Sequence, residues 1–465
     1  MNGMEDQRHD GLQRAHYVWV GDDFTGATDT LATLSMAGLN SLLFLGIPDA
    51  ARLQQLGHLD AIGIAGAARS MTPDAMTEAL VPIGHFFAKS GAKVLHYKCC
   101  STFDSAPTVG SIGKAVEVLR PFVGSQFVPI VGGQPNLGRY CSFANLFAKV
   151  GHAPSVYRID RHPVMQHHPV TPMHEADLRV HLAAQGLDNI SALAHTVYET
   201  IPVADDGKRL LDWVNDCLAQ HATAGILDVL NDQHLARIGQ LVWRMAEQDT
   251  VLVVGASSVA QACITAWPDR DAKATKNDQK QHAVNAAHVT PLAPASTPVF
   301  MFAGSMSPVS SAQIAACTQY QKIVFDIKQF MHESAYFDAM RERVIAHLSQ
   351  GEHVLVFSDR QLQAQNTQDL AMTSARFVAV VLNTMASRGQ AIRRVGIAGG
   401  DTSSHVTEAL GLWALGFAQW LSPGVAMSIA HSDIPHIHGM EIMLKGGQMG
   451  HVTLFDDLVT GTSLA

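Results

Sequence analysis

The string Gly21-Asp22-Asp23-Phe24-Thr25-Gly26-Ala27-Thr28-Asp29 follows directly on the apolar run Tyr17–Val20. Asp22 and Asp23 set two carboxylates just beyond a strand, and Thr25 with the N–H groups after it opens a helix. Such a pair can hold the hydroxyls of a small polyol, and one of the two can accept a proton from an attacking hydroxyl. The plainer alternative is that one aspartate only caps the helix. Lys98 closes the fourth strand and is followed by Cys99-Cys100-Ser101-Thr102-Phe103-Asp104-Ser105. Its ammonium is a point charge suited to a substrate carboxylate, and Asp104 and Ser105 offer partners for hydroxyls. Arg69 stands after the third strand, where a planar guanidinium can grip a carboxylate with two parallel hydrogen bonds. For Lys98 and Arg69 the competing explanation is ordinary surface charge.

A second set of residues suits phosphate. Gly399-Gly400-Asp401-Thr402-Ser403 follows the strand Val395–Ala398 and opens a helix. Glycines let backbone N–H groups approach an anion without a Cβ in the way, and the helix dipole favours negative charge there. Ser305 and Ser307, in Gly304-Ser305-Met306-Ser307-Pro308, lie at another helix start; Lys445-Gly446 joins a cation to a glycine turn. Neither a Gly-x4-Gly-Lys-Ser/Thr loop nor a protein-kinase motif set occurs.

Positioning these loops requires strands that end in them. Short apolar runs alternate with amphipathic stretches: strands at 17–20, 41–45, 61–65, 94–97, 127–131, 224–229 and 251–254, with helices at 27–37, 72–89, 112–119, 232–247 and 257–267. After a polar, aperiodic stretch the pattern resumes, with strands at 299–302, 323–326, 354–357 and 395–398 and helices at 308–318, 335–349, 369–386 and 403–410. This rhythm predicts an α/β chain of two domains, each a mainly parallel sheet flanked by helices. The expected division is a domain over 1–267, a linker or surface insertion over 268–297 and a domain over 298–465.

Composition narrows the partners. A net charge of −9 and a pI near 6.2 argue against nucleic acid as the main partner. No apolar run is expected to reach the length that spans a bilayer, and residues 1–15 lack the apolar core of a secretory signal; the expected location is the cytoplasm. The six cysteines form no Cys-x-x-Cys pair, so free thiols are expected. His162, His167, His168 and His174 are interrupted by Pro163, Pro169 and Pro172, which prevent helical pairing of ligands, so no metal site is expected there.

Taken in order, these motifs resemble the four-carbon acid sugar kinase family. Gly21–Asp29 is similar to its opening signature, and Arg69 and the Lys98–Gly113 stretch resemble its Ser-Arg and Lys…Gly-x-Ile-Gly elements. Gly132-Gly133-Gln134-Pro135-Asn136-Leu137-Gly138-Arg139 resembles a loop beside its acid-sugar site, which makes Arg139 a candidate substrate ligand. The serine turn at 304–308, the glycine turn at 399–404 and the closing element at 445–450 resemble its nucleotide loops, with Gly447 and Gln448-Met449 departing from the pattern of many members.

The resemblance implies an acid-sugar-binding N-terminal domain, a nucleotide-binding C-terminal domain and an active site in the cleft between them. It implies ATP and Mg2+ as cofactors and a hydroxyl of 3-oxo-tetronate, threonate, erythronate or 3-oxo-isoapionate as acceptor. His168-Pro169-Val170-Thr171-Pro172-Met173 is similar to the loop of members acting on oxidised acids, which favours a 3-oxo acid over threonate or erythronate. Asp23 is the expected base, with Asp22, Thr25, Arg69, Lys98, Asp104 and Arg139 on the acid and Ser305, Ser307, Gly399, Gly400, Asp401, Thr402 and Gly446 on the nucleotide. A homo-oligomer is left open. A dinucleotide-dependent oxidoreductase would need a Gly-x-Gly-x-x-Gly turn, which is missing from the sequence; a sugar-acid sensor that binds without reacting is the rival outside enzymes.

Overall fold

A computed structural model describes residues 15–150, 154–168, 170–202, 205–268, 291–304, 307–358, 367–422, 424–447 and 449–462. Ser305, Pro169, Gln448 and most of the 268–297 stretch lie outside them. The chain divides into two compact units, Met1–Ala287 and His288–Ala465.

The first unit contains β1 (Tyr17–Gly21), β2 (Ser41–Phe44), β3 (Ala61–Ile64), β4 (Val94–Lys98), β5 (Val128–Gly132), β6 (Arg139–Ser142), β7 (Asn145–Lys149), β8 (Val156–Arg158), β9 (Ile190–Leu193), β10 (Ala224–Asp228) and β11 (Val251–Gly255). Its main sheet runs β2-β3-β1-β4-β11-β5-β10-β9, with every pair parallel. The strands carry continuous runs of buried Val, Ile and Leu because helices cover both faces. The chain leaves β1 for β2 and β3 on one side, then crosses to β4 on the other. Parallel sheets open a crevice at such a reversal, beyond the carboxyl ends of the strands. Gly21 pairs with Lys98 there.

Antiparallel β6, β7 and β8 form a separate small sheet, which the expected helix–strand rhythm did not include. Its hairpin tip, Phe143 and Ala144, adopts left-handed φ values of 50° and 62°. Asp228, fully buried at the end of β10, accepts hydrogen bonds from both of their N–H groups, at 2.6 and 2.9 Å. A carboxylate held by backbone donors offsets the local strain of the two residues.

The second unit contains β12 (Val299–Ala303), β13 (Gln321–Phe325), β14 (Val354–Ser358), β15 (Arg394–Ala398), β16 (Leu412–Ser422), β17 (Val425–Ser432) and β18 (Glu441–Lys445), in the order β13-β14-β12-β15-β18-β17-β16. β12 and β15 flank the second reversal. The first five strands pair in parallel, whereas β16, β17 and β18 are antiparallel neighbours; none of these last three strands was foreseen.

The helix Thr367–Ser387 corrects one expectation. Its stretch Asp369–Ser387 is long and apolar enough by composition to cross a membrane, with a mean hydropathy of 1.3. Here it is a core helix: Phe377, Val378, Val381, Leu382 and Met385 are buried, and the Phe377 ring meets Phe302, Phe330 and Phe337. All six cysteines are free, and five of them are buried.

Candidate functional site

The helix after β1 begins at Phe24, three residues earlier than its periodicity suggests, because Asp23 is its cap and accepts from Gly26 N at 2.7 Å. Capping therefore occurs, but it uses one oxygen only. The other oxygen of Asp23 lies 2.9 Å from Arg69 Nη1. Asp22 takes the remaining edge of Arg69, through Nε at 3.1 Å and Nη2 at 2.9 Å, and also accepts from Cys100 N at 3.3 Å. The backbone is tied at the same place: Asp22 N donates to Lys98 O and Arg69 N donates to Asp22 O, each at 2.9 Å. One guanidinium thus fixes two neighbouring carboxylates, engaging Nε, Nη1 and Nη2 once each.

The two aspartates are not equivalent. Asp22 is buried, and its side chain is 5% exposed against 31% for Asp23. Burial raises the pKa of Asp22 and outweighs the pull of Arg69. Burial also acts to raise that of Asp23, but Arg69, Lys98 and the Gly26 N–H together bring it below the ordinary carboxylate value. Asp23 is therefore ionised at neutral pH and is the more open of the pair.

Lys98 is buried, and its ammonium rests on the first turn of the helix at Gly26. Burial disfavours its charge, but Asp23 and Asp22 more than compensate and raise its pKa. A Cβ on Gly26 would lie 1.8 Å from Lys98 Nζ and 2.6 Å from Asp23 Oδ1. Gly26→Ala should thus leave the fold standing, since a flexible lysine end can swing away. It should weaken by about tenfold the hold of that ammonium on a bound anion, the value of one charge-assisted hydrogen bond. A melting curve beside an anion-binding titration checks both halves.

Asp104 is buried and accepts from Thr102 Oγ1, whose hydroxyl also meets Cys100 Sγ at 3.0 Å. Burial lowers the pKa of Arg139, and Cys100 and Asp104 oppose that shift. Among the described residues its guanidinium has no carboxylate within ion-pair distance; it donates to Leu137 O, and its Nε is buried without a partner. Thr25 lies half-buried in the first turn of the helix.

Sequence reasoning did not single out the side chains that hold these loops. His181 Nε2 lies 3.1 Å from Phe103 O and 2.9 Å from Ser105 Oγ. Gln185 donates to Ser105 Oγ at 2.8 Å and accepts from Ile112 N at 2.7 Å. Both follow the cap at Asp177, whose side chain accepts from Arg179 N. Asp29 accepts from Ser257 Oγ and from Gln134 Nε2, so it ties the helix to neighbouring loops rather than facing the crevice with Asp23. His162 and His168 each accept local N–H groups, from Val164 and Met165 and from Thr171. Among the described residues no group of three or more His, Cys, Asp or Glu could hold a metal.

In the second unit, β12, β15 and β18 are neighbours and all three end in glycine turns. Gly399 has φ 130° and donates to Lys445 O at 2.9 Å. The following helix begins at Gly400, so Asp401 and Thr402 fall in its first turn; Asp401 is exposed and Thr402 buried. A Cβ on Gly304 would sit 2.4 Å from Thr402 Oγ1, while one on Gly400 would meet nothing within 4 Å. Ser307 caps the helix Pro308–Ala316. Lys445 is fully buried and donates to Ser310 Oγ at 3.1 Å; burial brings its pKa down to about 8. Gly446 continues directly from Lys445.

Comparison with known proteins accords with this division. Residues 17–263 match the model of a sugar-binding N-terminal domain, and residues 300–455 that of a nucleotide-binding C-terminal domain. The chain is 34% identical over 474 residues to the 3-oxo-isoapionate kinase of Paraburkholderia graminis, covering 96% of this chain and 93% of the relative. It is 28% identical to the 3-oxo-tetronate kinase of Brucella melitensis, covering 94% and 93%. Among solved structures, a putative tRNA synthase of Salmonella typhimurium superposes with a TM-score of 0.72 at 22% identity, covering 95% of this chain and 98% of that one. A Haemophilus influenzae protein gives 0.69 at 21% with the same coverage; both likenesses concern the fold alone. From the two domain models and the full-length relatives, the chain belongs to the four-carbon acid sugar kinase family.

Proposed function

We propose that this chain is an ATP-dependent kinase that phosphorylates a hydroxyl of a 3-oxo four-carbon or branched acid sugar such as 3-oxo-tetronate or 3-oxo-isoapionate. The observation that carries the reading is the partly open carboxylate of Asp23 beside the buried ammonium of Lys98, at the strand reversal of the sugar-binding unit. The names of the full-length relatives support the substrate class.

In this reading Arg69 does not hold substrate; it orients Asp22 and Asp23. The acid's carboxylate goes to Arg139 and to Lys98, whose ammonium is stabilised by Asp22 and Asp23 but lies within ion-pair distance of no described carboxylate. Asp22 and Asp104 fix the hydroxyls, aided by Thr25. Asp23 accepts the proton of the attacking hydroxyl; Arg69 and Lys98 keep it ionised before transfer begins.

The glycine turns fit a nucleotide's phosphates, because Gly400 opens its helix with free space where a side chain would stand and Gly399 before it holds φ 130°. Gly446, Ser307 and Thr402 complete that cradle, and Ser305 joins it by sequence. Asp401 carries the exposed carboxylate that would hold Mg2+. The ion, when bound, neutralises charge on the phosphates. Lys445 offers a cation, and its pKa gives a sign. Below pH 8 it is an ammonium and binds phosphate; above, it becomes neutral. ATP affinity of the free enzyme should be flat below about pH 8 and weaken above it, by up to about tenfold per pH unit. Titration of ATP binding from pH 6.5 to 9.5 checks this, and Lys445→Met should abolish the break.

The reading assigns the enzyme to the cytoplasm, where ATP is available and six unpaired thiols stay reduced. A coupled ADP-release assay over 3-oxo-tetronate, 3-oxo-isoapionate, threonate and erythronate tests the function. ADP release with a 3-oxo acid supports it. Release with threonate or erythronate alone would move the assignment to the reduced acids, and silence across the panel would favour a sensor.

A further inference from the structure

The helix Pro308–Ala316 carries a ladder of polar groups facing the turn after β18. Its cap Ser307 and its residues Ser310 and Gln313 stand three apart and share a face. The Ser307 hydroxyl donates to Gly447 O, and the Ser310 hydroxyl donates to the same oxygen at 3.2 Å while accepting from Lys445 Nζ at 3.1 Å. Gln313, fully buried, spends both N–H groups on the same turn, donating to Met449 O at 3.1 Å and His451 O at 2.9 Å. Its own carbonyl oxygen has no partner. A buried amide with an unmet acceptor is unfavourable by itself; in return its two N–H groups hold the carbonyls of Met449 and His451 in place.

Gly450 lies between the two carbonyls that Gln313 holds, at φ 86°. A Cβ there would come within 3.1 Å of Gln313 Nε2 and 2.4 Å of Leu454 Cδ2. The turn can therefore close onto the glutamine only with glycine at this position.

We propose that Gln313 and Ser310 are positioning residues for the phosphate-binding pair Lys445 and Gly446, setting where the Lys445 ammonium and the Gly446 backbone meet the nucleotide's phosphates. The proposal rests on the reading of this turn as part of the nucleotide site. Ser310 does this at the ammonium itself, Gln313 at the far end of the turn. Neither is required to touch the nucleotide.

Calorimetric titration of the full-length protein with ATP and with adenosine tests it. Gln313→Leu removes both donors and should weaken ATP about tenfold or more, leave adenosine unchanged and leave KM for the acid within about twofold. A merely structural role would weaken ATP and adenosine alike, and that result overturns the proposal. So does unchanged ATP affinity in Gln313→Leu when Lys445→Met weakens ATP, which spares the nucleotide reading. Unchanged affinity in Lys445→Met would remove the turn from the nucleotide site and the proposal with it. Should Gln313→Leu fail to fold, Ser310→Ala decides. It deprives the ammonium of its hydrogen-bond acceptor and should move the alkaline break in ATP affinity below pH 8; a break that stays in place overturns the proposal.

Discussion

Asp23→Asn should lower kcat by a factor on the order of 10²–10⁴, the usual contribution of a positioned base, while ATP affinity stays within about twofold. The amide keeps the shape of the side chain, and its oxygen can still accept from Gly26 N. What it loses is the ability to take a proton and the charge that pairs with Arg69 Nη1. The lost charge also removes one of the two carboxylates that stabilise the Lys98 ammonium, so some rise in KM for the acid accompanies the fall in kcat. Asp22→Asn serves as the contrast. Asp22 is buried against Arg69 and Cys100 N, so its loss should show first in stability and in KM. Steady-state kinetics on both variants, with ATP binding measured separately, separates the roles. Near-normal turnover in Asp23→Asn would remove Asp23 as the base.

The second large effect is expected at the cations. Lys98→Met and Arg139→Met should each raise KM for the acid by roughly 10–150-fold, the range for a charge-assisted hydrogen bond worth about 1.5–3 kcal/mol. The two should differ in stability. Lys98 and Arg69 together balance buried Asp22 and the more open Asp23, so removing Lys98 leaves two carboxylates against one guanidinium in a low-dielectric place. Arg139 has no such partner among the described residues and a buried Nε without a hydrogen bond, so its removal should be neutral or stabilising. Kinetics with thermal melts checks the split. If Arg139→Met lowered the melting temperature and left KM for the acid alone, Arg139 would be a structural residue.

Much of the site was legible because the residues that face a crevice in a parallel sheet follow strand ends directly. Asp22 and Asp23 after β1, Arg69 after β3 and Lys98 at the end of β4 could be placed without coordinates, as could the glycines after β15. Their mutual pairing could not. Nothing in Ala68-Arg69-Ser70 reveals that Asp22 and Asp23, more than forty positions earlier, each pair with the Arg69 guanidinium. His181, Gln185 and Gln313 act through hydrogen bonds to backbone in distant loops, and a buried glutamine in a helix has no signature in periodicity.

In the fold, most strands that run into helices were visible as apolar runs closed by Gly or Asp, but β9, which runs into the helix His195–Glu199, was not foreseen. The ribbons β6–β8 and β16–β18 were not, because their residues alternate less cleanly: Leu412–Ser422 mixes buried and half-buried positions and has register irregularities against β17. The early start of the helix at Phe24 was missed for a related reason. Thr25 and Gly26 are poor helix formers, yet the cap at Asp23 and the burial of Phe24 and Ala27 hold them in its first turn.

The most direct test of the account is the fate of the γ-phosphate. Phosphorus NMR of the purified protein with Mg·ATP and a 3-oxo acid sugar should show one phosphomonoester of the acid formed for each ADP, with little inorganic phosphate. ADP accompanied by inorganic phosphate alone, or no turnover with any acid of the class, would contradict it.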